Sequence, residues 1–312
     1  MRTVMKLYMH TYQNDHDYQR IREFLQEVFL LNDRRELSWQ VYRFDYWRWH
    51  GVENMGHGCL ESDVFLWKTP EGRLVSVLNR EAPGSVFIHV HPDYRTPALE
   101  EEMITVAEEH LTIANADGHR KIHIWAPDQD RIRQAILQSR GYIKSDRRDY
   151  QRYRSLTTSI PDKVIADGYR VRALKGSEEF PARSYLSWRA FHPDEPDNKF
   201  QGWHWYENIQ RAPLYNLDLD IVAEASDGKL VAFCTVWFDE VTLTGAFEPV
   251  GTDPDHRRRG LAVAVMNEGL RRLRKLGAER AFVGSWNEAT HKLYGSLGFT
   301  EYDLLVAWEK IF

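Results

Sequence analysis

The sequence predicts an α/β (α+β) protein built from two copies of one unit, each combining strands and helices. Three observations lead to this expectation. The chain has 312 residues, which is long for a single hydrophobic core. The order of predicted elements in the first half returns in the second half. Local patterns return as well, since His91-Pro-Asp-Tyr-Arg95 stands where the second half has Asp253-Pro-Asp-His-Arg257.

The composition is that of a globular protein, with 43% hydrophobic and 13% aromatic residues. A net charge of −5, from 41 basic and 46 acidic residues, argues against a nucleic-acid surface. The two cysteines, Cys59 and Cys234, indicate neither a metal site nor a disulfide framework, so we expect a reducing cytoplasm. The sequence shows no apolar signal core and no run of membrane-spanning length, and it therefore predicts a soluble protein without a membrane partner.

The first half is predicted from apolar periodicity and turn residues. In chain order the elements are a strand at 4–12, a helix at 18–31, an aromatic-rich segment at 39–50, a hairpin at 64–68 and 74–79, a strand at 85–90, a helix at 98–115, a strand at 121–125 and a helix at 129–139. The hairpin turn is indicated by Pro70-Glu-Gly72. The first domain is expected to span 1–154, with a linker at 155–167.

The second domain is expected to span 168–312. It begins with a strand at 169–174, followed by a helix and by a hairpin of 219–224 with 230–238. Asp227-Gly228 lies between the two strands of this hairpin and is typical of a tight turn. Strand and helix then alternate to the end, as they do in the first domain.

The segment Glu248-Pro-Val-Gly-Thr-Asp-Pro-Asp-His-Arg-Arg-Arg-Gly-Leu-Ala262 predicts a strand, a tight turn and the entrance of a helix. The apolar stripe of this helix comprises Leu261, Val265, Met266, Leu270, Leu273 and Leu276. Gly277 is expected to end it. The spacing Arg257-x-x-Gly260-x-Ala262 places small residues where the first backbone N–H groups of the helix point outward. It therefore predicts a cradle for a diphosphate.

This Arg-x-x-Gly-x-Ala pattern after a strand resembles the signature of the GNAT superfamily of acyl-CoA-dependent N-acyltransferases. The later segment Asn287-Glu-Ala-Thr-His-Lys-Leu-Tyr-Gly-Ser-Leu-Gly-Phe299 is similar to the family's second signature, an Asn entering a helix, a Tyr seven residues on, then Gly-Phe. Both occur in the family's order and separation, and the resemblance covers 168–312. For each repeat it implies a mixed, mostly antiparallel twisted sheet flanked by helices.

The resemblance implies acetyl-CoA as co-substrate and an amine as acceptor, without a metal. It assigns the diphosphate to Arg257, Arg258, Arg259, Gly260, Leu261 and Ala262. It places the pantetheine along Val250 and Thr252, and Asn287 on the same pocket. Glu248 then corresponds to the base that takes the amine proton. Tyr294 corresponds to the group that faces the departing thiolate.

Several of these residues are also compatible with a structural role. The triplet Arg257-Arg-Arg259 is typical of a solvated surface run, although the small residues that follow it favour phosphate binding. Glu248 is compatible with a surface charge on a strand. Tyr294 is compatible with core packing, but it lies about two turns from Asn287 on the same helical face, which favours a shared pocket.

The acceptor side is less specific in the sequence. The aromatic pairs at 47–49 and 203–205 are more typical of a core than of a ligand cage. In the GNAT family the segment between the first helix and the second strand forms the acceptor-side wall, so the resemblance makes both aromatic pairs and the segment Phe191-His-Pro-Asp-Glu195 candidates for it. His256 and His291 are interpreted as structural.

The first copy departs from the signature at the positions that carry the chemistry. Where the second copy has Arg259, Gly260, Ala262 and Tyr294, the first has Pro97, Ala98, Glu100 and Leu137. A carboxylate would face the diphosphate, and a proline removes a backbone donor. We therefore expect a degenerate first domain that has lost the acyl-CoA site and shapes the acceptor cleft.

The expected function is transfer of an acetyl group from acetyl-CoA to a primary amine, with a small molecule as the expected acceptor, by a monomer or homodimer. Two alternatives stay open: acetylation of a protein N-terminus or lysine, and a regulatory protein that binds acyl-CoA without turnover. The tandem layout with one silent half resembles that of mycothiol synthases, but no acceptor motif assigns that substrate. A dinucleotide-dependent oxidoreductase is disfavoured, because no Gly-x-Gly-x-x-Gly follows a strand.

Overall fold

The computed structural model describes residues 6–114, 116–160 and 165–312. The chain divides into two compact units, a first unit of Met1–Tyr150 with Asp303–Phe312 and a second unit of Gln151–Tyr302. This division differs from the expected domains 1–154 and 168–312 with a linker at 155–167. The boundary falls inside a strand, Ile143–Ser155, and the last strand of the chain belongs to the first unit. Residues 161–164 of the expected linker lie outside the described residues.

Both units contain β-strands and α-helices. The strands are β1 (Tyr8–Thr11), β2 (Val64–Lys68), β3 (Leu74–Ala82), β4 (Ser85–Val90), β5 (Ile113–Ala114), β6 (Arg120–Pro127), β7 (Ile143–Ser155), β8 (Tyr169–Ala173), β9 (Asp220–Ala225), β10 (Leu230–Asp239), β11 (Thr244–Thr252), β12 (Arg280–Ser285) and β13 (Glu301–Ile311). The α-helices are α1 (Asp15–Leu31), α2 (Val41–Tyr46), α3 (Leu60–Asp63), α4 (Pro97–His110), α5 (Arg131–Ser139), α6 (Phe180–Phe191), α7 (Trp205–Gln210), α8 (Leu261–Lys275) and α9 (Glu288–Ser296). Within the described residues, none of these helices combines the length and apolarity needed to cross a bilayer.

The first unit contains a mixed sheet in the order β1-β2-β3-β4-β6-β13, with the short β5 also paired to β6. Neighbouring strands are antiparallel except β4 and β6, which are parallel. Apolar residues of α4 and α5 pack on one set of sheet residues, and those of α1 and α2 on another. This burial on both faces explains why β2 and β4 are almost continuously apolar.

The second unit contains a mixed sheet in the order β12-β11-β10-β9-β8, antiparallel except for the parallel pair β11–β12. The apolar stripe of α8 packs on one face, with Leu261, Val265, Met266, Leu270 and Leu273 in the core. On the other face, Leu186 and Ala190 of α6 pack against Val222 and Phe233. A mixed, mostly antiparallel sheet between helices is the predicted architecture.

The ends of the helices agree with the prediction at some positions and differ from it at others. α8 begins at Leu261 as predicted, and Gly277 follows it with a φ of 87°. Leu276 was expected on the buried stripe but is 47% exposed, because it is the residue that caps the helix C-terminus. α1 begins earlier than predicted, at Asp15, because the Asn14 side chain accepts a hydrogen bond from the His16 N–H. The helix predicted at 98–115 ends at His110.

Two predicted segments extend beyond the described residues. The strand expected at 4–12 is seen as Tyr8–Thr11, and residues 4 and 5 lie outside the described part. Residue 115, the end of the helix predicted from 98, also lies outside it. The hairpin predicted in the second half is confirmed, since β9 and β10 pair antiparallel across the turn at Asp227-Gly228.

Candidate active site in the second unit

The entrance of α8 is formed by a capped turn and a left-handed glycine. The Asp253 side chain accepts a 2.9 Å hydrogen bond from the Asp255 N–H and begins the short turn Pro254–His256. Gly260 then caps the helix with a φ of 76°, a conformation that favours glycine. No atom would lie within 4 Å of a Cβ at Gly260, so the space in front of the helix is open.

This entrance presents backbone donors. The Ala264 N–H bonds to the Gly260 carbonyl oxygen at 3.0 Å, so the N–H groups of Leu261, Ala262 and Val263 precede the first intrahelical bond. The helix dipole adds a positive potential at the same place. These features make the entrance suitable for an anion such as a diphosphate.

A cleft of about 730 Å³ opens at this entrance, and its walls belong entirely to the second unit. The lining includes most of the predicted site residues, namely Val250, Thr252, Arg257, Arg258, Gly260, Leu261, Ala262, Asn287 and Tyr294. Glu248 and Arg259 lie outside the lining. Further lining residues, which the sequence had not assigned to the cofactor, include Phe191, Val263, Thr290 and Leu293.

The cleft exists because two parallel strands separate. The pairs between β11 and β12 run from Thr244 opposite Arg280 to Ala246 opposite Phe282. Further along β11, Val250, Gly251 and Thr252 line the cleft instead of continuing this pairing. An extended ligand can therefore lie along the β11 edge and use the backbone groups that a strand would otherwise bind.

A β-bulge places Glu248 at the start of this open edge. β10 and β11 pair Val236 with Phe247 and Cys234 with Val250, so Thr235 alone stands opposite Glu248 and Pro249. Proline has no N–H to donate and is therefore typical of such an interruption. The Trp237 indole N–H bonds to the Glu248 carbonyl oxygen at 2.5 Å, and Glu248 itself is half-buried.

Tyr294 is both a core residue and a cleft residue. It is 6% exposed, and its ring packs 6.4 Å from that of Phe299. Burial raises the pKa of Tyr294 above its ordinary value, and the charges of the nearby Glu248 and Cys234 raise it further. The phenol is thus neutral near pH 7 and can donate its hydrogen.

The three arginines before Gly260 have different environments. Arg257 lines the cleft, but its guanidinium also bonds to the carbonyl oxygens of Ala190 at 2.9 Å and Thr252 at 3.4 Å. Arg258 lines the cleft and has a φ of 62°. Arg259 turns away, since its Nη1 donates a 2.7 Å hydrogen bond to the Tyr169 hydroxyl. The interpretation of the triplet as a single phosphate-binding run therefore needs correction at the Arg259 side chain.

Asn287 caps the N-terminus of α9, the second helix that lines the cleft. Its Oδ1 accepts a 2.9 Å hydrogen bond from the Thr290 N–H, and the Thr290 side chain accepts in turn from the Asn287 N–H at 3.3 Å. This capping box fixes the start of α9. Asn287, Thr290 and Tyr294 consequently line the cleft from one face of the helix.

The two histidines interpreted as structural make ordered side-chain contacts. His256 bonds through Nδ1 to the Tyr169 hydroxyl at 2.9 Å, and it also lines the cleft. His291 bonds to the Ser285 hydroxyl at 2.9 Å. Burial lowers the pKa of His291, and the adjacent Arg152 guanidinium lowers it further.

The aromatic candidates for the acceptor side separate into buried and accessible ones. Trp47 is buried in the core of the first unit, as a structural role predicts. Trp203 and Trp205 are half-buried. Phe191 is 54% exposed and lines the cleft, so the end of α6 contributes to its wall.

The sequence analysis did not predict one polar cluster, which lies on the strands next to β11. Arg183 of α6 is fully buried beside Asp220 and Thr235. An arginine in an amphipathic helix normally suggests a solvated face. One sequence signal could have predicted this ion pair. Asp220 is a charged residue at the start of an otherwise apolar strand, and α6 carries few charges besides Arg183.

Known proteins with a similar sequence are acetyltransferases. Residues 181–299 match the model of the Acetyltransferase (GNAT) family. The mycothiol acetyltransferase of Thermobispora bispora is 28% identical over 240 residues, which is 73% of this chain and 76% of that protein. The mycothiol acetyltransferase of Thermomonospora curvata is 30% identical over 157 residues, 48% of this chain and 50% of that protein.

Solved structures show the same fold over nearly the whole chain. The GCN5-related N-acetyltransferase from Sphaerobacter thermophilus superposes with a TM-score of 0.64 at 17% identity, covering 98% of this chain and 95% of that one. A tandem GNAT protein from the clavulanic acid biosynthesis pathway superposes with a TM-score of 0.63 at 15% identity, covering 98% of both chains. The family match includes the helix entrance and α9, and the fold of the chain is that of solved GNAT structures, one of them a tandem GNAT protein.

Proposed function

We propose that the second unit transfers an acetyl group from acetyl-CoA to a primary amine of a small molecule. The observation that carries the proposal is the cleft at the α8 entrance, which brings an anion cradle, an open strand edge and Tyr294 together. The amine nitrogen forms a bond to the acetyl carbon, and the carbon–sulfur bond breaks. The amine loses a proton and the departing sulfur gains one.

The cleft suits each part of the co-substrate. The N–H groups of Leu261, Ala262 and Val263 would hold the diphosphate, with Arg258 beside them. The backbone of Val250–Thr252 would hold the pantetheine along the open edge of β11. Among the walls, Leu261, Val263 and Leu293 supply apolar surface for the non-charged part of the ligand.

Glu248 and Tyr294 are the proposed proton carriers. An amine with a pKa near 10 is mostly protonated at pH 7, so a base must take its proton before attack. We assign this role to Glu248, directly or through a water. Tyr294, a neutral buried phenol, would donate to the thiolate. The effect of the Glu248 charge on the pKa of Tyr294 supports their placement near one reaction centre.

The proposed acceptor class is supported by the relatives. Proteins named mycothiol acetyltransferase align over most of this chain, which favours a small-molecule acceptor over a protein N-terminus or lysine. The partly apolar lining of the cleft is compatible with such a ligand. Because a single second unit contains all of the cleft walls, we propose that a monomer, or each subunit of a homodimer, has its own site.

A thiol-release screen tests the proposal. Acetyl-CoA is incubated with simple amines, polyamines, amino acids, aminoglycosides and peptides, and free CoA is measured. Gly260→Glu serves as the cofactor-binding control. We expect steady turnover with a small amine that Gly260→Glu lacks. Turnover with peptides alone would support a protein acceptor, and tight acetyl-CoA binding without turnover would support a regulatory role; either result overturns the proposal.

A further inference from the structure

Arg183 forms a buried polar cluster on the α6 face of the second-unit sheet. Its Nε donates to Asp220 Oδ1 at 2.9 Å, and its Nη2 donates to Thr235 Oγ1 at 3.0 Å. The guanidinium carbon lies 3.7 Å from the centroid of the Phe233 ring. Arg183 and Asp220 are both 0% exposed, so the ion pair is fully removed from solvent.

The charges in this cluster are extensively hydrogen-bonded. Asp220 also accepts hydrogen bonds from the hydroxyl of Tyr206 and, at 3.2 Å, from that of Tyr215. A buried ion pair is tolerated when further donors satisfy its carboxylate. One donor is left over, since Arg183 Nη1 is buried without a hydrogen-bond partner among the described residues. Such an unfilled donor in an otherwise satisfied cluster calls for an explanation beyond packing.

The cluster lies in one row with the bulge that carries Glu248. Across three adjacent strands, Asp220 of β9 pairs with Thr235 of β10, and Thr235 stands opposite Glu248 and Pro249 of β11. The row is therefore continuous from the ion pair to the bulge.

Side-chain alternation puts these groups on the same face. Cys234 and Val236 pack in the α8 core, so Thr235 between them points to the α6 face, as its bond to Arg183 requires. Phe247, the last paired residue before the bulge, also packs in the α8 core, so alternation would turn Glu248, the next residue, towards the α6 face. We therefore expect the Glu248 side chain on the side where Arg183 and Thr235 are held.

We propose that Arg183, acting through Thr235, is a positioning residue for Glu248. This inference rests on the proposed function, because it concerns the base of that reaction. A bulge interrupts the regular ladder, so its side chains depend on neighbours for their orientation. Trp237 holds the Glu248 carbonyl oxygen from β10, and the Arg183–Thr235 bond fixes the one residue opposite the bulge. Together they set the direction of the Glu248 carboxylate.

The test compares Thr235→Val with Thr235→Ser. Valine keeps the shape but removes the oxygen that accepts from Arg183, whereas serine keeps the oxygen. We expect Thr235→Val to lower kcat about tenfold, because a small misplacement of a catalytic group is costly. Acetyl-CoA affinity should stay within twofold for both variants, and Thr235→Ser should retain most of the wild-type kcat.

A double-mutant cycle with Glu248→Gln separates positioning from a general structural effect. If Thr235 acts through Glu248, Thr235→Val should add little to the loss caused by Glu248→Gln. An equal loss in both backgrounds would overturn the inference. Tyr215→Phe, which removes one donor to Asp220, provides a second variant should Thr235→Val not fold. It should lower kcat about threefold, and this loss should also disappear in the Glu248→Gln background.

Wild-type turnover distinguishes this inference from the proposed function. If the wild-type protein releases no CoA with any amine, the proposed function fails, and the inference fails with it. If the wild type turns over and Thr235→Val has the same kcat, only the inference is overturned.

Discussion

Arg133 donates from Nε and Nη2 to the carboxylate of Glu100, at 2.8 and 3.0 Å, inside the first unit. Its Nη1 donates to the Ile88 carbonyl oxygen of β4 at 3.1 Å. The Glu100 N–H bonds to the Thr96 carbonyl oxygen at 3.1 Å, as the Ala264 N–H bonds to that of Gly260 at 3.0 Å, so Glu100 corresponds to Ala264 and its predicted alignment with Ala262 was wrong by two residues. The ion pair therefore places two long side chains beside the helix entrance, where the second unit has its cleft.

The helix caps identify the counterpart of Arg133. Asp130 caps α5 by accepting a 3.1 Å hydrogen bond from the Arg133 N–H. Asn287 caps α9 by accepting a 2.9 Å hydrogen bond from the Thr290 N–H. Arg133 thus corresponds to Thr290, a short side chain that lines the cleft. In the first unit, an arginine side chain takes the backbone acceptor that an extended ligand would use.

The first prediction is that each chain binds one acyl-CoA, in the second unit. The buried pair of Arg133 and Glu100 adds a carboxylate to the first turn of α4, the helix that corresponds to α8. Titration calorimetry with acetyl-CoA should give a stoichiometry of one per chain. Two equivalents, or CoA bound beside Arg95 in a crystal structure, would contradict this.

The second prediction concerns the anion cradle. Gly260→Glu places a negative side chain in front of the α8 donors, at a residue with a φ of 76°. Acetyl-CoA affinity should fall at least tenfold, about 1.4 kcal/mol. Ala98→Glu is the control, because Ala98 is an exposed residue in the first turn of α4 in the other unit and should leave affinity unchanged. Unchanged binding by a folded Gly260→Glu protein would remove the diphosphate assignment.

The third prediction concerns the thiolate donor. Tyr294→Phe removes one hydroxyl and should lower kcat about 10- to 100-fold with little change in acetyl-CoA affinity. Because the pKa of Tyr294 is raised above the value of about 10 of a free phenol, the hydroxyl keeps its proton in the neutral and mildly alkaline range. The ratio of wild-type to variant kcat should therefore stay constant from pH 7 to about 9.5. Tyr142→Phe, a buried phenol of the first unit, should have wild-type kcat.

The fourth prediction concerns the base. Glu248→Gln should lower the rate most at neutral pH, by about 10²-fold or more. Partial recovery is expected as the pH rises, because more of the amine is then free without a base. Glu301→Gln, an exposed acid at the start of β13, is the control. A wild-type pH profile for Glu248→Gln would move the search to Asp239 or Glu240.

The fifth prediction concerns a buried acid of the first unit. Glu36 is 1% exposed and accepts a 2.7 Å hydrogen bond from the Gln40 amide. Burial raises the pKa of Glu36 to about 8, with Arg43 opposing and Asp303 adding to this effect. The folded protein thus keeps a proton that the unfolded chain loses near pH 4.5. The stability that this proton contributes is complete below that pH and is lost as the pH rises towards 8.

Glu36→Gln should abolish this pH dependence, since an amide does not titrate. Relative to the variant, the wild-type protein should lose on the order of a few kcal/mol of unfolding free energy between pH 5 and 8. Urea unfolding of both proteins at pH 5, 6.5 and 8 measures the difference. Parallel stability curves would show that Glu36 is ionised in the folded protein.

The predictable part of this site consists of helix ends, which are determined by residues close together in the sequence. The entrance of α8 depends on Gly260 and its neighbours, and the caps of α9 depend on Asn287 and Thr290, all within a few residues. Such short-range geometry repeats with sequence spacing, which is why most of the predicted site residues line the cleft, although Glu248 and Arg259 do not.

The parts that escaped prediction depend on contacts distant in sequence. Arg183 meets Asp220 and Thr235 across the sheet, and neither pairing has a local pattern. The side-chain direction of Arg259 is decided by Tyr169, which lies on a strand from the start of the unit. Spacing predicts where a backbone goes, but not which distant partner a long side chain reaches.

The last strand has a consequence for how this protein is made. β13 pairs with β6 from Leu305 opposite Pro127 to Ile311 opposite Lys121, and Asp303–Phe312 belongs to the first unit. During synthesis, the ribosome completes the whole second unit before the first unit receives this strand. Until then β6 presents an unpaired edge, which is a risk for association with other chains. A fragment ending at residue 154 would lack β13 and would leave the β6 edge exposed permanently.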